Sequence, residues 1–273
     1  MSRDVNFSSL VRRVGRLAGL GRRSAPRRRA NLLHAPFAGE VYLEFLPRLC
    51  TILGVRNYLE IGVHFGHMLE RIACDTAVGV DPGFILDTNV MAGKRRLHLY
   101  QTTSDAFFSD IDLPALLGGT VDLSFLDGLH QYEFLLRDFA NAEAASAPGS
   151  VIVMHDCMPL TAEMTARDPA AVRSDPEPLN RMWTGDVWKV VPILAKYRPD
   201  LRLTFVDCPP TGLVCAAGLD PSSRVLADQA ADILTEFDPM PNSAETIGAM
   251  YQAHPVVAPA SVLASGGRNL FAT

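Results

Sequence analysis

The chain has 273 residues, of which 48% are apolar, so it can bury a substantial core as one large domain or two. No run of about eighteen apolar residues occurs, which argues against a membrane-spanning helix. Its five cysteines are widely spaced and lack C-x-x-C pairs, which argues against a zinc or disulfide framework and indicates the free thiols of a reducing compartment.

The first thirty residues are strongly basic. They contain nine arginines opposed only by Asp4, which leaves 16 basic and 29 acidic residues, a net charge of −13, in the remainder. Apolar residues at helical spacing before Leu20 predict a basic amphipathic helix, and an arginine-rich linker follows at 21–29. Three interpretations stay open: contact with an anionic membrane, an organelle transit peptide, or docking onto the acidic body or a second subunit. The absence of interleaved aromatic residues argues against nucleic acid.

A strand, a glycine turn and a helix follow a first predicted helix at 38–53. The strand at 57–62 carries Glu60 near its end, the turn contains Gly62 and Gly66, and the helix is predicted at about 64–74. Such a turn presents backbone N–H groups and the positive end of a helix dipole to a ligand. The next predicted strand, 77–81, ends in Asp81, at the position where an acid accepts ribose hydroxyls in open α/β sheets.

Three further strands are predicted, and each is followed by polar residues. The strand at 98–101 precedes Ser104 and Asp105, where a helix N-cap at Thr103 or Ser104 is the simplest interpretation. The strand at 121–127 ends in Asp127, with His130 three residues on, and the strand at 151–157 contains His155-Asp156. Because parallel strands bring their carboxyl ends to one edge, we expect Asp127, His130, His155 and Asp156 to converge there.

The rest of the chain completes a doubly wound α/β sheet. Residues 158–185 are rich in proline and charge and predict an inserted lid or substrate wall. A helix is predicted at 186–197, a β-hairpin at 201–217 and a terminal helix at 222–237. We predict three regions: a basic arm at 1–30, a main domain at 31–240 and a tail at 241–273 with a short helix.

The glycine spacing indicates which nucleotide ligand the turn would take. A dinucleotide-binding turn has G-x-G-x-x-G, whereas this chain has Glu60-x-Gly62-x-x-x-Gly66. That pattern resembles the first motif of class I S-adenosylmethionine-dependent methyltransferases. The resemblance implies a seven-stranded, mostly parallel, Rossmann-like sheet that ends in a β-hairpin. It also implies donor contacts, which would come from Glu60, Gly62, Gly66, Asp81, Ser104, Asp105 and Asp127.

A second stretch resembles a narrower group. Residues 122–130 read D-L-x-F-x-D-G-x-H, Arg137-Asp138 follows on the next helix, and the fifth strand ends in His155-Asp156. This resembles sugar and macrolide O-methyltransferases, in which the acid after strand four and an acid pair after strand five bind Mg²⁺. The resemblance implies that Asp127, His155 and Asp156 are metal ligands. It also implies that Asp127 and His130 are the catalytic residues, with His130 as the general base. Because the acid pair is His-Asp here, metal-free catalysis by His130 stays open.

The expected function is therefore transfer of a methyl group from S-adenosylmethionine to a hydroxyl of a small molecule, such as a sugar or glycosylated metabolite. Mg²⁺ could assist, and the enzyme is expected to be cytoplasmic and not to bind nucleic acid, while assembly into a homo-oligomer stays open. Two alternatives stay open. One is an NAD-dependent oxidoreductase on a similar sheet, and the other is a binding protein that keeps the fold without the chemistry.

Overall fold

The computed structural model describes residues 31–174 and 177–271. The predicted basic arm at 1–30 therefore lies outside the described residues. One sheet runs through the described part of the chain, with the strand order β3-β2-β1-β4-β5-β7-β6-β8. Its strands are β1 (Asn57–Ile61), β2 (Cys74–Val80), β3 (Lys94–Tyr100), β4 (Val121–Leu126), β5 (Ser146–His155), β6 (Arg202–Val206), β7 (Leu213–Ala217) and β8 (Val256–Val257).

The first five strands are parallel, and the predicted hairpin follows them. Strand β7 is antiparallel to both β5 and β6. The sheet has eight strands rather than the predicted seven, because Val256–Val257 of the tail pairs in parallel with β6. The tail thus extends the sheet edge beyond the hairpin.

Helices cover both faces of the sheet, as the buried apolar runs of its parallel strands require. The helices among the described residues are α1 (Tyr42–Leu53), α2 (His67–Arg71), α3 (Ser104–Asp110), α4 (Leu113–Leu117), α5 (Tyr132–Ala144), α6 (Val190–Tyr197), α7 (Val225–Asp228), α8 (Ala230–Phe237), α9 (Ala244–Ala253) and α10 (Pro259–Ala264). Helices α1, α2 and α10 pack on one face, and α5, α6, α8 and α9 pack on the other. None of these helices is long and apolar enough to cross a bilayer.

Helical periodicity explains the two long helices that flank the site. In α5, Leu135, Leu136 and Phe139 are buried against the sheet at the spacing of one helix face. In α1, buried residues recur in the same way, and the helix ends at Gly54, whose left-handed φ of 67° lets its N–H cap the last turn. These two helices position the polar residues at the carboxyl edge.

Several predicted boundaries shift for identifiable reasons. The helix predicted at 64–74 is only the short α2, since Gly66 caps it in the left-handed region and β2 already begins at Cys74. Strand β3 begins at Lys94 rather than 98, because it is the edge strand and tolerates the exposed charged residues Arg95 and Arg96. Strand β5 begins at Ser146, and the predicted helix at 222–237 is divided into α7 and α8.

The predicted insertion is ordered into short 3₁₀ turns over Glu163–Thr165, Pro169–Ser174 and Leu179–Arg181. It continues into a further turn, Val187–Lys189, that leads directly into α6. All five cysteines are free thiols, as the sequence predicted.

Candidate active site

The glycine turn from Gly62 to Gly66, which the sequence predicts to bind the methyl donor and which is called the donor turn below, is in direct contact with the end of β4. The N–H of Asp127 donates to the carbonyl of Ile61 at 2.9 Å. Gly62 has a φ of 89°, and a Cβ on it would lie 1.9 Å from the carbonyl oxygen of Asp127. Only glycine fits this position, because both the backbone conformation and the space exclude a side chain. The turn after β1 is thereby joined to the first predicted catalytic carboxylate.

Asp81 lies where the sequence predicted, at the end of β2. Its Oδ2 accepts a hydrogen bond from the N–H of His64 at 2.8 Å, and its Oδ1 accepts one from the N–H of Gly83 at 2.7 Å. Asp81 therefore holds the donor turn against its neighbour. A carboxylate oxygen has two lone pairs, so these bonds leave acceptor capacity for a ribose hydroxyl.

Glu60 lies beneath the turn rather than at its surface. It is only 1% exposed, and its carboxylate accepts a hydrogen bond from the hydroxyl of Tyr58 at 2.7 Å. Burial raises the pKa of Glu60 to about 8, against the lowering effect of the Tyr58 hydrogen bond. The structure does not bring this predicted donor contact to the open edge of the sheet.

Ser104 and Asp105 begin α3, and Thr103, one of the two residues predicted as its cap, is the N-cap. The side chain of Thr103 accepts a hydrogen bond from the N–H of Ala106 at 3.3 Å. Both oxygens of Asp105 accept hydrogen bonds from Arg137, each at 2.8 Å. That hydrogen-bonded pair lowers the pKa of Asp105.

The four residues at the ends of β4 and β5 converge as predicted. His130 Nε2 lies 3.1 Å from Asp156 Oδ2 and 3.5 Å from Asp127 Oδ1. His155 Nδ1 lies 3.2 Å from an oxygen of each of the same two carboxylates. One ligand atom each from Asp127, His130 and Asp156 lies within 4.8 Å of the others, so these three residues could hold a metal ion.

The two histidines occupy different positions in this cluster. His155 is only 7% exposed, and its ring lies against the ring of Tyr42, with their centroids 4.4 Å apart. His130 is on the open side, beside the insertion. Asp156 lies between them with a left-handed φ of 59°, a conformation that is uncommon outside glycine and that collects at functional sites.

Mutual ion pairing sets the charges of the cluster. Burial alone would lower the pKa of His130, but the charge of Asp156 and the hydrogen bond to Asp127 outweigh it and raise the pKa to about 9. The pKa of His155 is raised for the same reason. Burial would raise the pKa values of both carboxyls, but the histidines lower them below their usual range.

The insertion holds His130 in place. The carbonyl of Trp183 lies 3.0 Å from His130 Nδ1, and the centroids of the two rings are 4.8 Å apart. A Cβ on Gly185 would lie 1.8 Å from the carbonyl oxygen of His130, so the chain passes in contact there. This stretch is thus a wall of the site, one of the two roles that the sequence allowed.

A salt bridge anchors that wall to the start of α5. Arg167 in the insertion pairs with Glu133, and its Nη1 lies 3.1 Å from Asp186 Oδ2. Asp186 in turn accepts a hydrogen bond from the N–H of Tyr132, the first residue of α5, at 3.1 Å. Because α5 directly follows His130, the anchor stabilises the position of that histidine.

Three contributors to the site were missed from the sequence: Tyr42, Thr211 and the carbonyl of Trp183. Thr211 Oγ1 donates to Asp156 Oδ1 at 2.6 Å. A signal for Thr211 existed, because an antiparallel β7 must begin at the edge where the parallel strands end. No sequence signal marks a backbone carbonyl, and Tyr42 lies in an ordinary helical pattern.

A separate cleft lies away from this cluster. It measures about 710 Å³ and is formed at the amino ends of the strands by residues that include Arg56, Arg95, Arg96, Asp75 and Asp122. Because α/β sheets bind their ligands at the carboxyl ends of the strands, we assign the site to the opposite edge.

The strand order, the reversed hairpin and the donor turn together define the fold of a class I S-adenosylmethionine-dependent methyltransferase. Residues 59–157, from β1 to the end of β5, match the family Methyltransf_24, described as a methyltransferase domain. The match covers the part of the chain that carries both predicted motifs, and over these residues the predicted resemblance to a methyltransferase domain is confirmed.

Several solved structures are similar to this chain. The O-methyltransferase from Bacillus cereus, solved with S-adenosylhomocysteine, is 15% identical over 67% of this chain and 83% of its own, with a TM-score of 0.41. The S-adenosylhomocysteine-bound methyltransferase PaMTH1 from Podospora anserina is 14% identical over 65% and 78%, with a TM-score of 0.43. The O-methyltransferase TomG from Streptomyces achromogenes, involved in tomaymycin synthesis and solved with S-adenosylmethionine, is 18% identical over 67% and 82%, with a TM-score of 0.43. No curated protein sequence matches the chain significantly.

Proposed function

We propose that this protein transfers the methyl group of S-adenosylmethionine to a hydroxyl oxygen of a small molecule, such as a sugar or a glycosylated metabolite. The observation that carries the proposal is the contact of Gly62 with Asp127, because it joins the donor turn to a cluster of two carboxylates and two imidazoles. A hydroxyl is a poor nucleophile until its proton is removed or its pKa is lowered. The cluster supplies groups for both.

Two arrangements of the same residues could activate the hydroxyl. In the first, His130 is the general base and takes the proton at Nε2, while the carbonyl of Trp183 orients the ring through Nδ1 and Asp127 faces Nε2. The pKa of about 9 means that His130 is mostly protonated at neutral pH without a cation. Methyl transfer by this route is therefore expected to increase as the pH rises towards about 9, because only the neutral imidazole can accept a proton.

In the second arrangement, a divalent cation lies among Asp127, Asp156 and a histidine. Carboxylate oxygens suit Mg²⁺, and three ligand atoms within 4.8 Å of one another suit one ion. When bound, such a cation would lower the pKa of a coordinated hydroxyl. The residues present fit this role, with the carboxylates held in place by His155 and Thr211.

The insertion beside the cluster provides a further argument for a hydroxylated acceptor. The indole of Trp183 is half-buried, and its Nε1 donates to the carbonyl of Ala166 at 2.6 Å, which fixes the ring beside His130. A fixed aromatic face next to hydrogen-bonding groups suits the apolar face of a sugar ring. Acceptor choice is therefore proposed to depend on the insertion.

Calorimetry with S-adenosylhomocysteine tests the donor part of the proposal. Micromolar binding to the full chain is expected, and Asp81→Asn is expected to weaken it about tenfold or more because a ribose acceptor is lost. Asp75→Asn, at the other end of the same strand, is the matched control and should bind as the parent does. Absence of binding at millimolar ligand would refute the proposal, and tight NADH binding would favour the oxidoreductase instead.

A methyl-transfer assay tests the acceptor part. Labelled S-adenosylmethionine is incubated with panels of sugars, glycosylated metabolites and amines. Transfer to hydroxyl compounds is expected, and exclusive transfer to amines would refute the oxygen acceptor. If no compound is methylated while S-adenosylhomocysteine still binds, the alternative of a non-catalytic binding protein would be favoured.

The arginine-rich arm supports a separate proposal, that an otherwise cytoplasmic enzyme makes weak contact with anionic membranes. Nine arginines against one acid in residues 1–30 would give salt-sensitive binding. Sedimentation with anionic vesicles compares the full chain with a chain lacking residues 1–29. Equal binding by the two would refute this role.

A further inference from the structure

The two arrangements proposed above compete for one atom of His130. A carbonyl oxygen can only accept a hydrogen bond, so the 3.0 Å contact with Trp183 places a hydrogen on Nδ1. In the neutral ring, Nε2 is then the nitrogen that carries the lone pair. It is the same nitrogen that faces Asp156 at 3.1 Å and Asp127 at 3.5 Å.

We infer that Nε2 of His130 is a metal ligand, and that Asp127, His130 and Asp156 bind a divalent transition-metal ion such as Mn²⁺ in preference to Mg²⁺. This inference rests on the proposed function and decides between its two arrangements. It differs from the sequence prediction, in which His130 was the base and His155 a ligand. Two carboxylates suit both ions, whereas an imidazole nitrogen favours the transition metals over Mg²⁺.

Each of the three ligands has a partner that fixes its orientation, as ligands in metal sites do. The carbonyl of Trp183 holds His130 by its other nitrogen, and Thr211 holds Asp156 through Oδ1 at 2.6 Å, which leaves Oδ2 towards the cluster. His155 is 3.2 Å from an oxygen of each carboxylate and is buried. We assign His155 as a positioning residue behind the ligands.

The insertion completes this arrangement, because it supplies both the carbonyl and the close contact at Gly185. With Gly185 against the backbone of His130, the imidazole cannot turn away without moving the wall. Nε2 faces two carboxylate oxygens, at 3.1 and 3.5 Å, so its lone pair is directed at the position that a cation shared by the three residues would occupy. This placement is the feature that favours the ligand role.

The test uses the full chain freed of metal with a chelator. Calorimetric titrations with MnCl₂ and with MgCl₂ are expected to give Mn²⁺ binding about tenfold tighter or more. His130→Gln should remove that preference, and Asp127→Asn should weaken both ions. His98→Gln, on the edge strand β3, is the matched histidine control and should behave as the parent does.

A spectroscopic measurement on the parent makes the test independent of variant folding. Electron spin-echo spectra of bound Mn²⁺ should show modulation from one imidazole nitrogen, and His130→Gln should lose it. His155→Phe should keep the nitrogen signal but bind Mn²⁺ about 10- to 100-fold more weakly, as expected when an orienting partner is lost.

Three results would overturn the inference: no binding of either ion, equal affinities unchanged in His130→Gln, or Mn²⁺ bound without nitrogen modulation. Titration of the same samples with S-adenosylhomocysteine separates this failure from failure of the proposed function. Donor binding without metal binding would leave a methyltransferase in which His130 acts as the base. Loss of both would refute the two proposals together.

Discussion

The buried carboxyl of Glu60 is expected to make the stability of the fold depend on pH, and Glu60→Gln should remove that dependence. Glutamine has nearly the same volume, and its carbonyl can still accept the hydrogen bond from Tyr58. The amide cannot ionise. Replacing one buried carboxyl oxygen with an amide NH₂ group should cost about 1 kcal/mol at every pH.

The size and sign follow from the pKa of Glu60, which folding raises from 4.5 to about 8. Below pH 4.5 the carboxyl is protonated in both states and contributes nothing to the pH dependence. Between 4.5 and about 8 the unfolded chain releases the proton while the native state keeps it, so stability falls as the pH rises. At about 1.4 kcal/mol per pH unit, the upper bound is about 5 kcal/mol. We expect about 2–4 kcal/mol, because the native state relaxes around the new charge.

Urea denaturation at pH 5 and at pH 8.5 measures the effect as a difference between variant and parent. The variant should be about as stable as the parent, or slightly less so, at pH 5, and more stable by about 1–3 kcal/mol at pH 8.5. Glu163→Gln, an exposed glutamate in the insertion, should give a difference that does not change with pH. A constant difference for Glu60→Gln would refute the reasoning, because it would show a carboxyl that ionises normally and is therefore accessible to water.

Three further changes have defined outcomes. Gly62→Ala would place a Cβ 1.9 Å from the carbonyl oxygen of Asp127 and should reduce the free energy of unfolding by more than about 1 kcal/mol. It should also weaken S-adenosylhomocysteine binding measured by calorimetry. An unchanged stability and affinity would contradict the close contact. Arg198→Met would leave the carboxylate of Glu143 buried without its ion-pair partner. It should lower the free energy of unfolding, measured by urea denaturation, by about 3–5 kcal/mol. A loss below about 1 kcal/mol would mean that the ion pair is exposed to water. Thr211→Val would remove a hydrogen bond to a site carboxylate and should weaken Mn²⁺ binding about tenfold while leaving donor binding intact; equal Mn²⁺ affinity would remove Thr211 from the site.

The parts of the fold that the sequence predicted well are those in which local pattern and burial agree. Strands β4 and β5 are buried apolar runs, so their carboxyl ends were correctly located next to Asp127 and Asp156. Strand β3 was placed four residues late because its first residues, Lys94 to Arg96, are charged. Lys94 is in fact buried, with its ammonium donating to the carbonyls of Ile72 and Ala92 at 2.8 and 2.9 Å. The residue type alone does not distinguish a buried lysine that donates to backbone carbonyls from a lysine that faces water.

The turn after β1 was more predictable than the insertion, because much of it is encoded over a short stretch. The hydrogen bond from His64 to Asp81, for example, joins residues only 17 positions apart. The hairpin and the tail were harder, since the pairing of β8 with β6 joins segments about fifty residues apart. The two apolar residues Val256 and Val257 carry no sequence signal that indicates pairing with β6.

The two histidines show that the orientation of a side chain cannot be predicted from its position in the sequence. His155 and Asp156 are adjacent, and the sequence therefore grouped them as ligands, but the positive φ of Asp156 turns the chain at that point. His155 consequently packs against Tyr42, while Asp156 faces His130. The orientation of His130 depends on a carbonyl 53 residues away, a group that every residue possesses and that no motif records. The chemistry of the site was therefore predictable as a set of residue types, whereas the division between ligand, base and positioning residue required the path of the insertion in three dimensions.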